Sequence, residues 1–131
     1  MRILDESYNS NPDSLEATLS AFAQMKGKRR GILVLGDMLE LGAETERAHE
    51  EIGKRIGEIG FAYLFLLGEM ANPLGRGAEA AGMNRENILM AQNHEEVLAG
   101  LRTVLQEGDW IFIKGSRKMQ LERIIERLQA T

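Results

Sequence analysis

A chain of 131 residues with a net charge of -4 at pH 7 and no cysteine is long enough for one well-buried domain and short for two. The acidic balance argues against a general nucleic-acid or anionic-membrane binder, and the missing thiols exclude disulfides, thiolate metal sites and cysteine nucleophiles. No apolar run approaches the roughly 20 residues of a membrane span and no targeting pattern opens the chain, so the expectation is a cytoplasmic protein without a nucleic-acid or membrane partner.

Five short apolar runs alternate with five amphipathic segments, the rhythm of repeated βα units, which predicts a parallel sheet with helices on both faces. The first strand is expected at about Arg2 to Ser7, and it overlaps an acid- and amide-rich stretch, Asp5-Glu6-Ser7-Tyr8-Asn9-Ser10-Asn11-Pro12. Where such a strand gives way to a helix, side chains and free helix N–H groups meet at the carboxyl edge of the sheet, the place where open α/β folds bind ligands. Asp5 or Glu6 can accept hydrogen bonds from sugar hydroxyls, and Asn9 and Asn11 carry both donors and acceptors. Asn11 also reads as a plain N-cap, with Pro12 as first helical residue and Asp13 complementing the dipole. The first helix places Leu15, Leu19, Phe22 and Met25 on one stripe and ends at Gly27.

The second strand, about Arg30 to Leu35, is nearly continuous apolar, as a strand covered on both faces should be. It leads into Gly36-Asp37-Met38-Leu39-Glu40-Leu41-Gly42, where Asp37 leaves the strand at a ligand-ready position and Glu40 follows. The alternative is a turn in which Leu39 and Leu41 pack down and the acids face water. The second helix, about Thr45 to Glu58, turns Ala48, Ile52, Ile56 and Ile59 inward and covers its outer side with Glu46, Glu50, Glu51, Lys54 and Arg55. His49 sits among those acids near the Asp37 loop. A lone histidine without cysteine or a second histidine at helical spacing makes a poor metal site, so a local anchoring role competes with any chemistry.

The third strand is expected at Ala62 to Leu67. The helix after it, Glu69 to Gly82, is weakened on propensity by Pro73, Gly75, Gly77 and Gly82 and is expected to be broken or partly irregular. Its Gly75-Arg76-Gly77-Ala78-Glu79-Ala80 imitates a dinucleotide fingerprint but lies inside a helix rather than at a strand-to-helix turn. A fourth strand, Asn87 to Ala91, precedes a helix opened by the capping pair Asn93 and Glu96, with Val97, Leu98, Leu101, Val104 and Leu105 on its inner face and His94 on the surface. The fifth strand, Trp110 to Lys114, ends in Lys114-Gly115-Ser116-Arg117-Lys118. Cations at a helix start oppose the dipole unless an anion sits there, so Lys114, Ser116 and Arg117 are candidate anion ligands. The last helix, Met119 to Leu128, turns Leu121, Ile124, Ile125 and Leu128 inward. No G-x-x-x-x-G-K-[ST] occurs, so the chain lacks the usual phosphate loop of an ATP-driven enzyme.

Three separated motifs, DESYNSNPDS, VLGDMLELG with His49 behind it, and GDWIFIKGSRKMQLE, occur in the order in which they resemble the C-terminal domain of the Mur ligase family. The resemblance covers essentially all 131 residues and points to the branch that joins D-alanyl-D-alanine to UDP-N-acetylmuramoyl-tripeptide. It implies a three-layer, Rossmann-like α/β domain with a mostly parallel sheet of five or six strands, residues 1–131 forming one domain of a larger three-domain enzyme. The start of the chain inside a strand suggests the same. It further implies ATP-dependent amide ligation in peptidoglycan synthesis: the tripeptide carboxylate is phosphorylated, the dipeptide amine attacks the acyl phosphate, and phosphate leaves. In that family the N-terminal domain holds the UDP sugar, the central domain supplies the ATP loop and Mg2+ ligands, and the C-terminal domain closes over ATP and helps bind the dipeptide.

Carried onto this chain, Glu6 resembles the acid that meets the nucleotide ribose, and Asn9 and Asn11 the amides of the YNANP motif. Glu6 stands where Asp is common and Ser10 where Ala is usual, both conservative departures. Asp37, Glu40 and His49 match the block beside the closing interface or amino substrate, and Lys114, Ser116 and Arg117 match the KGSR that would hold the dipeptide carboxylate or a phosphate oxygen. Two other readings are a receiver-like module and a non-enzymatic nucleotide-binding Rossmann-like module. A receiver needs an acceptor Asp after the third strand, where this chain reads Leu67-Gly68-Glu69-Met70.

Overall fold

Alternation of apolar residues within each strand decides the layering. The computed structural model describes residues 2–6, 12–37, 45–114 and 120–129, with backbone alone for 2–6 and 12–16. Its elements are β1 (Arg2–Glu6), α1 (Pro12–Lys26), β2 (Gly31–Leu35), α2 (Thr45–Ile59), β3 (Tyr63–Leu67), α3 (Ala71–Ala80), β4 (Ile88–Ala91), α4 (His94–Val104), β5 (Trp110–Lys114) and α5 (Glu122–Gln129). A 3₁₀ turn, Arg85–Asn87, precedes β4; the sequence pattern did not anticipate it. The five strands form one parallel sheet in the order β1-β5-β2-β3-β4.

Side chains alternate across a strand, so each central strand feeds two cores. Leu33 and Leu35 of β2, Leu64 and Leu66 of β3 and Phe112 of β5 pack with Leu19 and Phe22 of α1, Ile52 and Ile56 of α2 and Leu74 and Ala78 of α3. Ile32, Val34, Phe65, Ile111 and Ile113 face the other way, against Val97, Leu98 and Leu101 of α4 and Ile124 and Leu128 of α5. Right-handed crossovers account for this division. The steps β1 to β2, β2 to β3 and β3 to β4 all run one way along the sheet and put α1, α2 and α3 on one face; the return from β4 to β5 puts α4 on the other. A receiver-like module would have the order 2-1-3-4-5, so the observed order sets that reading aside.

Two expectations are corrected. Met25, predicted on the buried stripe of α1, is 46% exposed: it lies in the last turn, beyond the core that Leu19 and Phe22 enter. The helix expected to be broken is continuous from Ala71 to Ala80. Pro73 falls in its first turn, where a missing N–H costs no intrahelical bond. Gly77 serves close packing, since a Cβ on it would lie 2.0 Å from the Glu50 carbonyl oxygen of α2, and Gly53 of α2 does the same from the other side, where a Cβ would lie 2.1 Å from the Leu74 carbonyl oxygen of α3.

The predicted cap of α4 is present. Asn93 Oδ1 accepts from the Glu96 N–H at 2.9 Å, while Glu96 Oε1 accepts from the Gln92 N–H at 3.3 Å. Asn93→Ala is expected to lower stability by about 1 kcal/mol, read as a shifted urea midpoint at unchanged slope. Arg127 of α5 pairs with Glu95 at the start of α4, and its guanidinium holds that carboxyl below the ordinary range.

Candidate functional site

The strand order places the three sequence motifs at neighbouring strand ends. β5 lies between β1 and β2, and the register aligns Glu6 of β1 with Lys114 of β5 and Lys114 with Leu35 of β2. Adjacent strands are about 4.8 Å apart, so the origins of 7–11, 115–119 and 36–44 occupy one short stretch of the carboxyl edge. The helices after β1 and β2 cover one face, and the helix after β5 covers the other. The connections therefore part on either side of the sheet at this edge, which is the switch point where open α/β sheets bind ligands.

Lys114, the last residue of β5, is fully buried. Alternation places it on the same face as Phe112, under α1 and α2. An ammonium in that setting requires compensation by hydrogen bonds or opposite charge, and Glu6 is its register neighbour on β1. Beyond the strands the pairing continues for one residue, with the Gly36 N–H donating to the Lys114 carbonyl at 2.9 Å.

Asp37 is half-buried, and both its carboxylate oxygens accept backbone bonds. Oδ1 takes the Met70 N–H at 2.8 Å and Oδ2 the Glu69 N–H at 3.0 Å. These N–H groups lie just before α3, whose own N-cap position is Met70, a residue with no side-chain acceptor to offer. A residue more than thirty positions earlier in the sequence thus stabilises the start of this helix. Gly68 adopts φ +115°, and a Cβ there would stand 2.5 Å from Asp37 Oδ1, so the turn requires glycine for conformation and for space. The sequence motifs did not reveal this partnership. Its signal was present in Leu67-Gly68-Glu69-Met70, a strand-to-helix turn with no Ser, Thr, Asp or Asn to cap the helix it opens.

His49 is fully buried one turn into α2. Its Nδ1 lies 2.6 Å from the Thr45 carbonyl oxygen, which can only accept, so Nδ1 carries a proton and donates it there. The ring thereby holds the first turn of α2, the anchoring alternative expected from its sequence context.

The structure thus brings Glu6, Lys114 and Asp37 to one edge, with His49 at the start of the helix that returns from it. Asn9, Asn11, Glu40, Ser116 and Arg117 lie outside the described residues, and so does the side chain of Glu6. Among the described residues no three His, Asp or Glu side chains group as metal ligands, and no helix is long and apolar enough to cross a membrane. A cleft of about 370 Å³ beside the edge strand β4, lined by Asn72, Arg76, Arg85 and Met90 among others, contains none of the candidate ligand-binding residues, although Gly75, Arg76 and Glu79 of the discounted fingerprint line it.

Comparison with known proteins bears on this edge. The family model for the Mur ligase, glutamate ligase domain, matches residues 1–117. The UDP-N-acetylmuramoyl-tripeptide–D-alanyl-D-alanine ligase of Synechocystis is 36% identical over 128 residues, which make up 98% of this chain and 27% of that protein. The Bacillus subtilis ligase of the same name is 30% identical over 128 residues, 98% of this chain and 28% of its own length. Among solved structures, the MurF ligase of Thermotoga maritima in complex with ADP superposes with a TM-score of 0.75 at 26% identity, covering 98% of this chain and 28% of that one. MurF of Acinetobacter baumannii gives 0.79 at 24% identity over 98% and 28%, a likeness of fold. The chain spans little more than a quarter of the length of these relatives.

Proposed function

The chain belongs to the Mur ligase family, and from that premise we propose that it is the C-terminal domain of the ATP-dependent ligase that adds D-alanyl-D-alanine to UDP-N-acetylmuramoyl-tripeptide. The observation that carries this reading is the meeting of three motif-bearing strand ends at one switch point. The site is a partial one. With no phosphate loop of its own, this domain closes over ATP that an upstream domain holds together with Mg2+, and the N-terminal domain holds the UDP sugar. The parent enzyme works in the cytoplasm.

Within this division Glu6 accepts from the nucleotide ribose and Asn9 and Asn11 supply amide contacts beside it. Lys114, buried beside Glu6 in register, supports the cationic side of the edge from beneath, while Ser116 and Arg117 take the dipeptide carboxylate or a phosphate oxygen. Asp37, Glu40 and His49 border the amino-substrate side. ATP phosphorylates the terminal carboxylate of the tripeptide, the dipeptide amine attacks the acyl phosphate, and inorganic phosphate leaves as the amide forms. The contribution of this chain is orientation and exclusion of water from the acyl phosphate when the domains close.

The test is a chimera in which this chain replaces the matching 28% of the Bacillus subtilis relative. ADP release that depends on both tripeptide and D-alanyl-D-alanine is expected. A folded chimera that releases no ADP, or that prefers a single amino acid to the dipeptide, overturns the assignment.

A further inference from the structure

We propose that the free edge of β4, together with the groove between it and α3, docks an extended peptide segment bearing an acidic side chain. This surface is separated from the β1-β5-β2 switch point by β3 and is independent of the ligase reading. Among the described residues β4 pairs with β3 alone, in uninterrupted register from Ile88 to Ala91. Edge strands are ordinarily guarded by a charge, a proline or a bulge, and Ile88-Leu89-Met90-Ala91 has none of the three. The opposite edge strand, β1, carries Arg2, Asp5 and Glu6. Met90 is 48% exposed, so the unguarded edge also presents an apolar side chain to water.

Asn72, Gly75, Arg76 and Glu79 share one stripe of α3, and Ile88 and Met90, two apart, share the face of β4 turned toward it, so the cleft of about 370 Å³ runs alongside the edge. The stripe from 72 to 79 is about 10 Å long, the length of about three extended residues. Gly75 forms the floor: the Met90 methyl lies 2.5 Å from where a Cβ would stand, with side-chain carbons of Leu66 and Ile88 at 3.5 and 3.6 Å. A segment added to β4 pairs its main chain with the strand and turns every second side chain into this cleft. In that mode the backbone bonds give affinity and the pocket gives selectivity.

The charge around the cleft selects the side chain. Arg85 Nε lies 3.6 Å from Glu79 Oε1, too far for a hydrogen bond, and the Arg85 side chain is 84% exposed. Arg76 directs Nη2 at Glu46 and Glu50, at 2.7 and 3.7 Å, which leaves its Nε and Nη1 without an acceptor among the described residues. Two guanidinium groups with unused donors thus border a cleft whose lining acid is Glu79. A carboxylate on the incoming segment complements them, while an apolar neighbour covers Ile88 and Met90.

The test titrates the isotopically labelled chain with three capped peptides at millimolar concentration: Val-Glu-Val-Glu-Val, the same peptide with Lys in place of Glu, and the acidic peptide with every backbone N–H methylated. The acidic peptide is expected to give saturable shifts in the amide signals of 72–79 and 88–91 and to slow hydrogen exchange along 88–91. It should bind about fivefold more tightly than the lysine peptide, the scale of an exposed ion pair, and methylation should abolish binding. Arg85→Glu, a change at an exposed side chain, should reverse the preference, and Gly75→Ala, which pushes the Met90 methyl into the cleft, should weaken both peptides. Equal response to the acidic and the methylated peptide would reduce the site to a contact for small anions and overturn strand addition. A preference unchanged in Arg85→Glu, or no response to any peptide, overturns the proposal as well. Signals of 88–91 that move with protein concentration alone would give the edge to a second copy of the chain and overturn it too.

Discussion

Gly77→Ala is expected to destabilise the chain by about 2 kcal/mol, even though intrinsic propensity favours alanine over glycine inside a helix by about 1 kcal/mol. The two effects have opposite signs, so the experiment decides which one governs α3. A Cβ on Gly77 would lie 2.0 Å from the Glu50 carbonyl oxygen and 2.7 Å from the Lys54 nitrogen, both backbone atoms of α2. A side chain could swing away, but a helix backbone has to move as a body. Gly53 and Gly57 present the same problem from α2, with the Leu74 and Ala78 carbonyl oxygens at 2.1 and 2.5 Å from their added Cβ atoms. Separating the helices by the ångström or so that relief requires would loosen Ile52 and Ile56 against Leu74 and Ala78, which share one buried cluster. Overpacking of this kind costs about 1 to 3 kcal/mol and sometimes more, so the packing loss outweighs the propensity gain. The check is a urea melt beside Ala99→Gly, an exposed position of α4 expected to lose about 1 kcal/mol. A stabilised Gly77→Ala would mean that the helices separate without loss and that Gly77 has no packing role.

The same pair of helices marks where the sequence stops being legible. Apolar periodicity placed all ten major elements, and β5 was placed with both ends correct, because each pattern is local to its own segment. Gly77 reads as a helix breaker because its reason lies across the interface, in the Glu50 carbonyl of α2 that no local window contains. The site divides in the same way. The residue types at Glu6, Asp37 and Lys114 flagged three junctions, but only the order β1-β5-β2 makes those junctions neighbours. That Asp37 caps α3 is a contact over 32 and 33 residues of sequence, foreshadowed only by the absence of a capping residue before α3. Lys114 reads from the sequence as a candidate anion ligand in a cationic cluster, and strand alternation carries it inward, where it is fully buried.

Arg30→Met is expected to cost about 3 kcal/mol, because it strands a carboxylate that the fold has taken out of water. Arg30 Nε donates to Asp109 Oδ1 and Nη2 to Asp109 Oδ2, each at 3.1 Å, and Nη2 also reaches the Val104 carbonyl at 2.9 Å. The guanidinium lies 5.5 Å from the centre of the Tyr63 ring. Only 3% of the Asp109 side chain is exposed, against 33% for Arg30, so water can reach the cation and cannot readily replace it at the anion. Without Arg30 the carboxylate keeps the Gln106 N–H at 2.9 Å but loses two charge-assisted bonds. Breaking a fully buried pair costs about 3 to 5 kcal/mol, and the partial exposure of Arg30 places this one at the lower end. If the stranded charge is the cause, Asp109→Asn added to Arg30→Met should restore about half of the loss, since the amide still accepts from Gln106 while carrying no charge. A double variant no more stable than Arg30→Met would attribute the loss to the arginine's other contacts instead. The pair joins the starts of β2 and β5, at the edge opposite Glu6, Lys114 and Asp37, so at temperatures where both proteins are folded the ligand titrations of Arg30→Met should match those of the wild type. That outcome would separate the amino edge, which holds the sheet together, from the carboxyl edge, where the three motif-bearing strands end side by side.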